Sequence, residues 1–269
     1  MKKLLSLVLV GLLILTGCQS SSKSNDDQKT ITYGKAAGPY TVLFEDAIIP
    51  ILKKEGYKFK CVEFSDLLQN DTALNDGDID VNVEQHTAYM KNFNKEQDGD
   101  LVALTAIPTV PAGIFSNTHK SLDELQKGAK IAVPNDAANT SRAYVLLQKA
   151  GWIELNKKAN LSTVTQDDIV KNPYNLQFTE MDSTIIPRSL DEFDYAVITG
   201  SIVYSAGIDA SSALLQEDVL DHLLLQVVVK KENKNKKWAK AIVKAYHSKE
   251  FKEYLDKNNK GLWYVPEYK

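Results

Sequence analysis

The chain has 269 residues and a formal net charge of −3, a balance that argues against a nucleic-acid partner. Its length accommodates two lobes of ordinary size or one large domain, and does not choose between them. G-x-S-x-G, H-E-x-x-H, G-x-x-x-x-G-K and C-x-x-C motifs are all missing from the sequence, so the common catalytic constellations are excluded and neither an enzyme nor a cofactor is expected.

The amino terminus reads as a targeting segment. Lys2 and Lys3 precede an apolar run from Leu4 to Leu15, broken only by Ser6 and Gly11. About a dozen residues is short of the roughly 20 a bilayer needs, so residues 1–17 are a secretory signal rather than a spanning helix. L-T-G-C at Leu15 to Cys18 resembles the bacterial lipobox, which implies that Cys18 becomes the lipidated first residue of a chain held on the extracytoplasmic face of the cell membrane. The plainer alternative is an ordinary signal peptide with an incidental cysteine. Acyl chains contribute roughly 0.8 kcal/mol per buried methylene, so a multiply acylated cysteine anchors a domain without a spanning helix. Loss of residues 1–17, which hold Lys2 and Lys3 and no acid, leaves a charge of −5. Residues 18–29 are polar and serine-rich and read as a tether. Cys61 is then without a disulfide partner and reads as a half-buried strand residue.

From Thr30 onward strand-like and helix-like segments alternate. A strand is expected at Thr30 to Tyr33, then the loop G-K-A-A-G-P, an amphipathic helix from Val42 to Glu55, and a period-two strand from Tyr57 to Phe64. Short helices are expected at Ser65 to Asn75 and Gln85 to Phe93, around a buried strand ending D-V-N-V. Strands at Leu101 to Ala106 and Gly113 to Ser116 follow.

A second α/β unit begins at Ser121, with Glu124 placed as a capping box requires. It continues with a strand at Ala129 to Val133, P-N-D-A-A-N-T-S-R, and a helix from Arg142 to Ala150 that stops at Gly151. A helix at Thr165 to Lys171, a strand at Leu176 to Thr179, a helix at Ile185 to Leu190 and a strand at Asp194 to Thr199 complete it. Leu223 to Lys230 is a β-branched strand, and Lys236 to Tyr254 one long helix with Trp238, Ile242, Ala245 and Tyr246 on a common face.

The segments A-L-N-D-G-D-I-D, Q-H-T-A-Y, L-D-E-L-Q-K-G-A-K-I-A-V-P-N-D, N-T-S-R-A-Y-V-L-L-Q-K-A-G, I-I-P-R-S-L, D-Y-A-V-I-T-G and V-K-A-Y-H-S together resemble the MetQ/NlpA family of substrate-binding lipoproteins, from Tyr33 to the end of the chain. The resemblance implies an α/β, bilobal, periplasmic-binding-protein-like (type II) fold: two α/β lobes joined by two crossover strands, with the ligand in the cleft. Gly113 to Ser116 and Leu223 to Lys230 are the expected crossing points, giving a first lobe of 30–118 and 223–269 and a second of 119–222. It also implies service to a methionine-type ABC importer, with a permease and ATPase complex as partners and methionine or a related amino acid as ligand.

A free amino acid needs donors for its carboxylate and an acceptor for its ammonium, since burying either unpaired costs several kcal/mol. Arg142, expected in the first turn of its helix where free amides also converge, matches the family's ligand-binding arginine; a surface ion pair is the alternative. Asn139 in the same motif contacts ligand or caps the helix, and both readings stay open. His86 and Tyr89 match the family's pocket-lining Q-H-x-x-Y, with Gln85 orienting a backbone segment. His119, His222 and His247 lack neighbours with metal-ligand spacing, and no metal site is expected.

Four positions depart from the family pattern. Glu84 stands where phenylalanine is usual, Leu67 where F-x-D-Y has tyrosine, and Thr199 and Ser201 where A-V-I-N-x-N has asparagines. Aromatic walls suited to a thioether are thus replaced by an anion and an aliphatic group. If Glu84 faces the cleft it penalises methionine and favours a ligand with a cationic or hydroxyl-bearing end; if it faces solvent, that expectation falls. A surface adhesion lipoprotein with a vestigial cleft is the alternative function.

Overall fold

The computed structural model describes residues 29–259 and 261–268. The signal segment, Cys18 and most of the tether lie outside the described residues. Among those described, no helix is long and apolar enough to cross a membrane.

The first lobe opens with β1 (Thr30–Lys35), followed by α1 (Pro39–Leu43), a π-helical turn (Phe44–Ile48) and α2 (Ile49–Lys54), which run on as one rod. Pro39 starts the rod because its missing N–H falls where none is needed. Pro50 can neither donate to nor clear the carbonyl four residues back, and the helix widens into the π turn just before it. β2 (Lys58–Glu63), α3 (Leu67–Asp76), β3 (Asn82–His86), α4 (Thr87–Glu96) and β4 (Leu101–Ala106) follow. β1 and β2 pair in parallel.

The second lobe contains β5 (Gly113–Phe115), β6 (Lys130–Pro134), α5 (Ala137–Lys149), β7 (Glu154–Leu155), β8 (Ile169–Lys171), β9 (Gln177–Met181), β10 (Tyr195–Ile198), α6 (Gly200–Ser205) and β11 (Leu215–Gln216). Its main sheet has the order β11-β5-β10-β6-β9. The two-residue period divides that sheet between two cores. Ile131, Val133, Tyr195 and Val197 pack with Tyr144, Leu147 and Trp152 on one face. Ala132, Ala196 and Ile198 pack with Ile186 and Val203 on the other.

The chain then returns as β12 (Leu225–Lys230), α7 (Lys237–Tyr246) and α8 (Lys249–Asn258). β12 lies between β3 and β4, antiparallel to both. Leu225, Val227 and Val229 join the first lobe's core with Phe44, Trp238, Ile242 and Tyr246. The fold is thus mixed α/β with two lobes and two connections.

Several expectations are corrected. Gly113–Phe115 and Leu225–Lys230 are sheet members; the connections between the sheets are the adjacent irregular segments, 107–112 and 217–224. Thr165 to Lys171 is a short 3-10 turn (Gln166–Asp168) followed by β8, because Ile169 and Lys171 pair with Leu155 and Glu154 of β7. The capping box forms there, between Thr165 and Asp168, and not at Ser121, where Glu124 instead accepts from the Lys120 N–H. The long C-terminal helix is two, because Ser248 caps α8 through a 3.1 Å bond from the Phe251 N–H while its hydroxyl donates to Ala245 O. Cys61 is in a strand but exposed.

Candidate functional site

A cavity of about 910 Å³ opens between the lobes, at the ends of the strands and the starts of the helices. Leu67, Glu84, Tyr89, Asn139, Thr199 and Ser201 line it. The elements explain the placement. Leu67 opens α3 behind its N-cap Asp66, Glu84 sits in β3, Tyr89 is in the first turn of α4, and Thr199 stands at the N-cap position of α6 without a side-chain cap bond. The next residue, Gly200, lies so close to the first connection that a Cβ would stand 2.4 Å from Val110 O, so no larger residue fits that α6 start.

Glu84 is buried to 9% exposure on this wall. It faces neither open solvent nor an unpaired void. One carboxylate oxygen accepts from the Thr41 hydroxyl and, at 3.1 Å, from the Thr41 N–H, in the first turn of α1. Burial pushes the carboxyl up to about 8, and the Thr41 N–H and the Lys35 charge only partly oppose it. The rest of the cavity wall has the same sign: Asp66, Asp136 and Asp182 line it, against the single guanidinium of Arg188.

His86 and Arg142 do not line this cavity; they stand behind it in a relay. His86 is the N-cap of α4, not part of the helix as expected, because its Nδ1 accepts from the Tyr89 N–H at 3.1 Å. Its proton therefore sits on Nε2, which donates to Asn139 Oδ1 at 3.2 Å across the cleft. Burial, then the nearby Arg142 charge, lowers the His86 pKa to about 3, so the ring stays neutral. Asn139 is neither the cap nor idle. Asp136 is the cap, and Asn139 donates its amide to both Asp136 oxygens while its own oxygen takes His86 and, at 3.4 Å, Arg142 Nη1.

Arg142 is corrected twice. The helix begins at Ala137, so Arg142 lies in its second turn, away from the free amides. Its guanidinium is already held by Glu217: Nε donates to Oε2 at 2.7 Å and Nη2 to Oε1, with both side chains 5% exposed. Glu217 Oε1 also accepts from the Ala112 N–H at 2.8 Å. One carboxylate thus ties the second connection to the first and to α5.

Gln85 holds side chains rather than backbone. Its amide and that of Asn82 donate to Asp71 Oδ1 at 2.5 and 2.6 Å, in a buried cluster that clamps α3 to β3. Burial pushes Asp71 up to about 7. A Cβ on Gly34 would fall 2.0 Å from Asn70 Oδ1, so the glycine in β1 makes room for this cluster.

Thr41, Glu217, Asp136, Asp182 and Arg188 were not expected at the site. Asp136 and Arg188 sit within the motifs P-N-D and I-I-P-R-S-L and could have been found there. Thr41 and Glu217 meet their partners 43 and 75 residues away, and no local pattern marks them.

Residues 31–266 match the family model of the NlpA lipoproteins. The chain belongs to the NlpA lipoprotein family. Within it, the chain is 34% identical over 252 residues to the D-methionine-binding lipoprotein MetQ of Escherichia coli K12, covering 93% of this chain and 92% of that one. A lipoprotein structure from Ruminococcus gnavus superposes with a TM-score of 0.83 at 37% identity, over 89% of this chain and all of that one. A Burkholderia cenocepacia nutrient-binding protein, solved bound to methionine, gives a TM-score of 0.81 at 34% identity, over 88% of this chain and all of that one. NlpA-family proteins of this kind are substrate-binding lipoproteins, not enzymes.

Proposed function

We propose that this NlpA-family protein is the lipid-anchored, extracytoplasmic binding component of an amino-acid ABC importer of the methionine type, and that its ligand is an amino acid or small peptide-like relative other than simple L-methionine, with a cationic or hydroxyl-bearing end. The relatives named above support the transport role. The observation that carries the ligand class is the cavity wall: Glu84, Asp66, Asp136 and Asp182 face a single guanidinium, Arg188. At about 910 Å³ the space lies at the upper end of the roughly 300–1,000 Å³ of small-molecule sites.

In this reading Glu84 is the acceptor for the ligand's cationic or hydroxyl end, because its Thr41 donors are neutral and the Lys35 charge offsets its own only in part. Asn139, Thr199 and Tyr89 supply hydrogen bonds, and Leu67 the apolar contact. Arg142 meets a ligand carboxylate only by exchanging it for Glu217; otherwise it holds Asn139 and, through it, His86 in place. A cationic end binds the ionised form of Glu84, so affinity rises as pH rises toward and through about 8. Calorimetry on purified protein decides the matter. Binding of a cationic or hydroxylated amino acid that is lost in Glu84→Ala supports the assignment; tight methionine binding, unchanged in Glu84→Ala, overturns it.

A further inference from the structure

The point where the chain enters the fold is surrounded by lysine. Lys29 is the first described residue, and its carbonyl accepts from the Lys58 N–H at 2.7 Å, so the segment arriving from the amino terminus meets the fold beside the start of β2. Lys58 and Lys60 are two apart on that strand, hence on one face, and both are exposed. The turn before β2 brings the C-terminal end of α2, with Lys53 and Lys54 exposed, to the same place, since the Tyr57 N–H bonds back to Leu52 O. Lys29 lies over the Tyr57 ring, 4.7 Å from its centroid. Five lysines thus ring the arrival point, and the acids placed among them are Glu55 in the same turn and Glu250, which bonds Lys54 at 2.6 Å. That contact brings in the start of α8, where Lys249 pairs with Glu253, and α7, packed on α2, carries the exposed Lys240 and Lys244 and no acid. This concentration occurs in a chain whose overall charge is −3.

We propose that this lysine face is a membrane-docking surface for anionic phospholipid headgroups. The proposal rests on the lipid-anchor reading, because the anchor is what brings the arrival point, and so this face, to the bilayer. Lysine side chains keep their ammonium in the headgroup layer while their stems cover apolar surface. A polybasic patch is the usual second signal beside an acyl chain. Its consequence is orientation. The first lobe's α2, β2 and α7 side is turned to the membrane, and the cleft, between the lobes, is left open to ligand.

The test uses the full chain carrying its lipid, on vesicles of phosphatidylcholine alone or mixed with phosphatidylglycerol, with lysine acylation read by mass spectrometry. Expected is a severalfold loss of labelling at Lys53, Lys58 and Lys60 on the anionic vesicles only, with Lys157 and Lys158 of the second lobe unchanged. The protection disappears in about 1 M salt, where the screening length is near 3 Å, and in the variant Lys58→Gln/Lys60→Gln at the remaining Lys53. Equal labelling on both vesicles overturns the proposal, as does protection that arises only when a permease is reconstituted alongside, which assigns the face to a protein. A failed anchor is told apart by sedimentation: the protein then stays in solution with neutral vesicles yet pellets with anionic ones at low salt.

Discussion

Two buried glutamates lie close to the cleft in opposite circumstances. Glu217 meets a guanidinium on both oxygens and a backbone N–H besides, so its charge and its lone pairs are both answered. Glu84 meets the hydroxyl and N–H of Thr41, which answer lone pairs on one oxygen but not the charge, and burial lifts it to about 8. The difference separates structure from function. A compensated carboxylate holds the two connections together; a poorly compensated one, set in a cavity wall, is where we propose that a ligand supplies what is missing.

The largest effect should come from breaking the compensated member. Glu217→Ala leaves Arg142 buried and unpaired, and urea denaturation should show a loss of about 3–5 kcal/mol. Turning the poorly compensated member neutral should act on binding instead. Glu84→Gln keeps the shape, and calorimetry should show a cationic ligand weakened by roughly 10- to 100-fold, the equivalent of about 1.5–3 kcal/mol for a charged hydrogen bond.

The same substitution sharpens the contrast through pH. Because the folded-state pKa of Glu84 is raised from 4.5 to about 8, the stability linked to its proton is complete below about 4.5 and is lost as pH rises through about 8. Asp71, raised from 3.8 to about 7, adds a fall in the window between those values. Denaturation midpoints should therefore decline from pH 5 to 9 in the parent and decline less in Glu84→Gln. His86 runs the other way. With its pKa lowered from 6.5 to about 3, its contribution is present above 6.5 and is lost as pH falls from there toward 3. His86→Ala should flatten that acid limb and cost about 0.5–2 kcal/mol at neutral pH for the lost cap, read by the same denaturation series. Smallest of all, Tyr89→Phe should leave stability within about 0.5 kcal/mol, so a change in ligand affinity in that variant would mark the hydroxyl as a ligand contact.

Much of the fold was legible because strand and helix periods are local. The apolar face of Trp238, Ile242, Ala245 and Tyr246 appears in the structure as read, whereas the strand at Tyr57 to Phe64 forms but switches its buried face, with Tyr57 and Phe59 on one core and Val62 and Phe64 on another. Reading failed where a local rule had competition. The Ser248 hydroxyl cut a helix whose apolar period ran through it, and β7 recruited a segment too short to stand alone as a helix. At the site, Leu67, Glu84, Tyr89, Asn139 and Thr199 line the cavity from its two sides, whereas His86 and Arg142 stand behind it and Arg142 lies a turn beyond its helix start.

By itself the sequence determined the family and the α/β alternation, and marked Glu84 and Arg142 within their motifs, because these are properties of neighbours along the chain. Only the tertiary structure decided what those residues meet. Whether Glu84 is paired, whether Arg142 is free, and which lysines gather where the chain arrives are set by contacts between segments far apart in sequence, and in a buried site the value of a charge depends on those contacts rather than on its own chemistry.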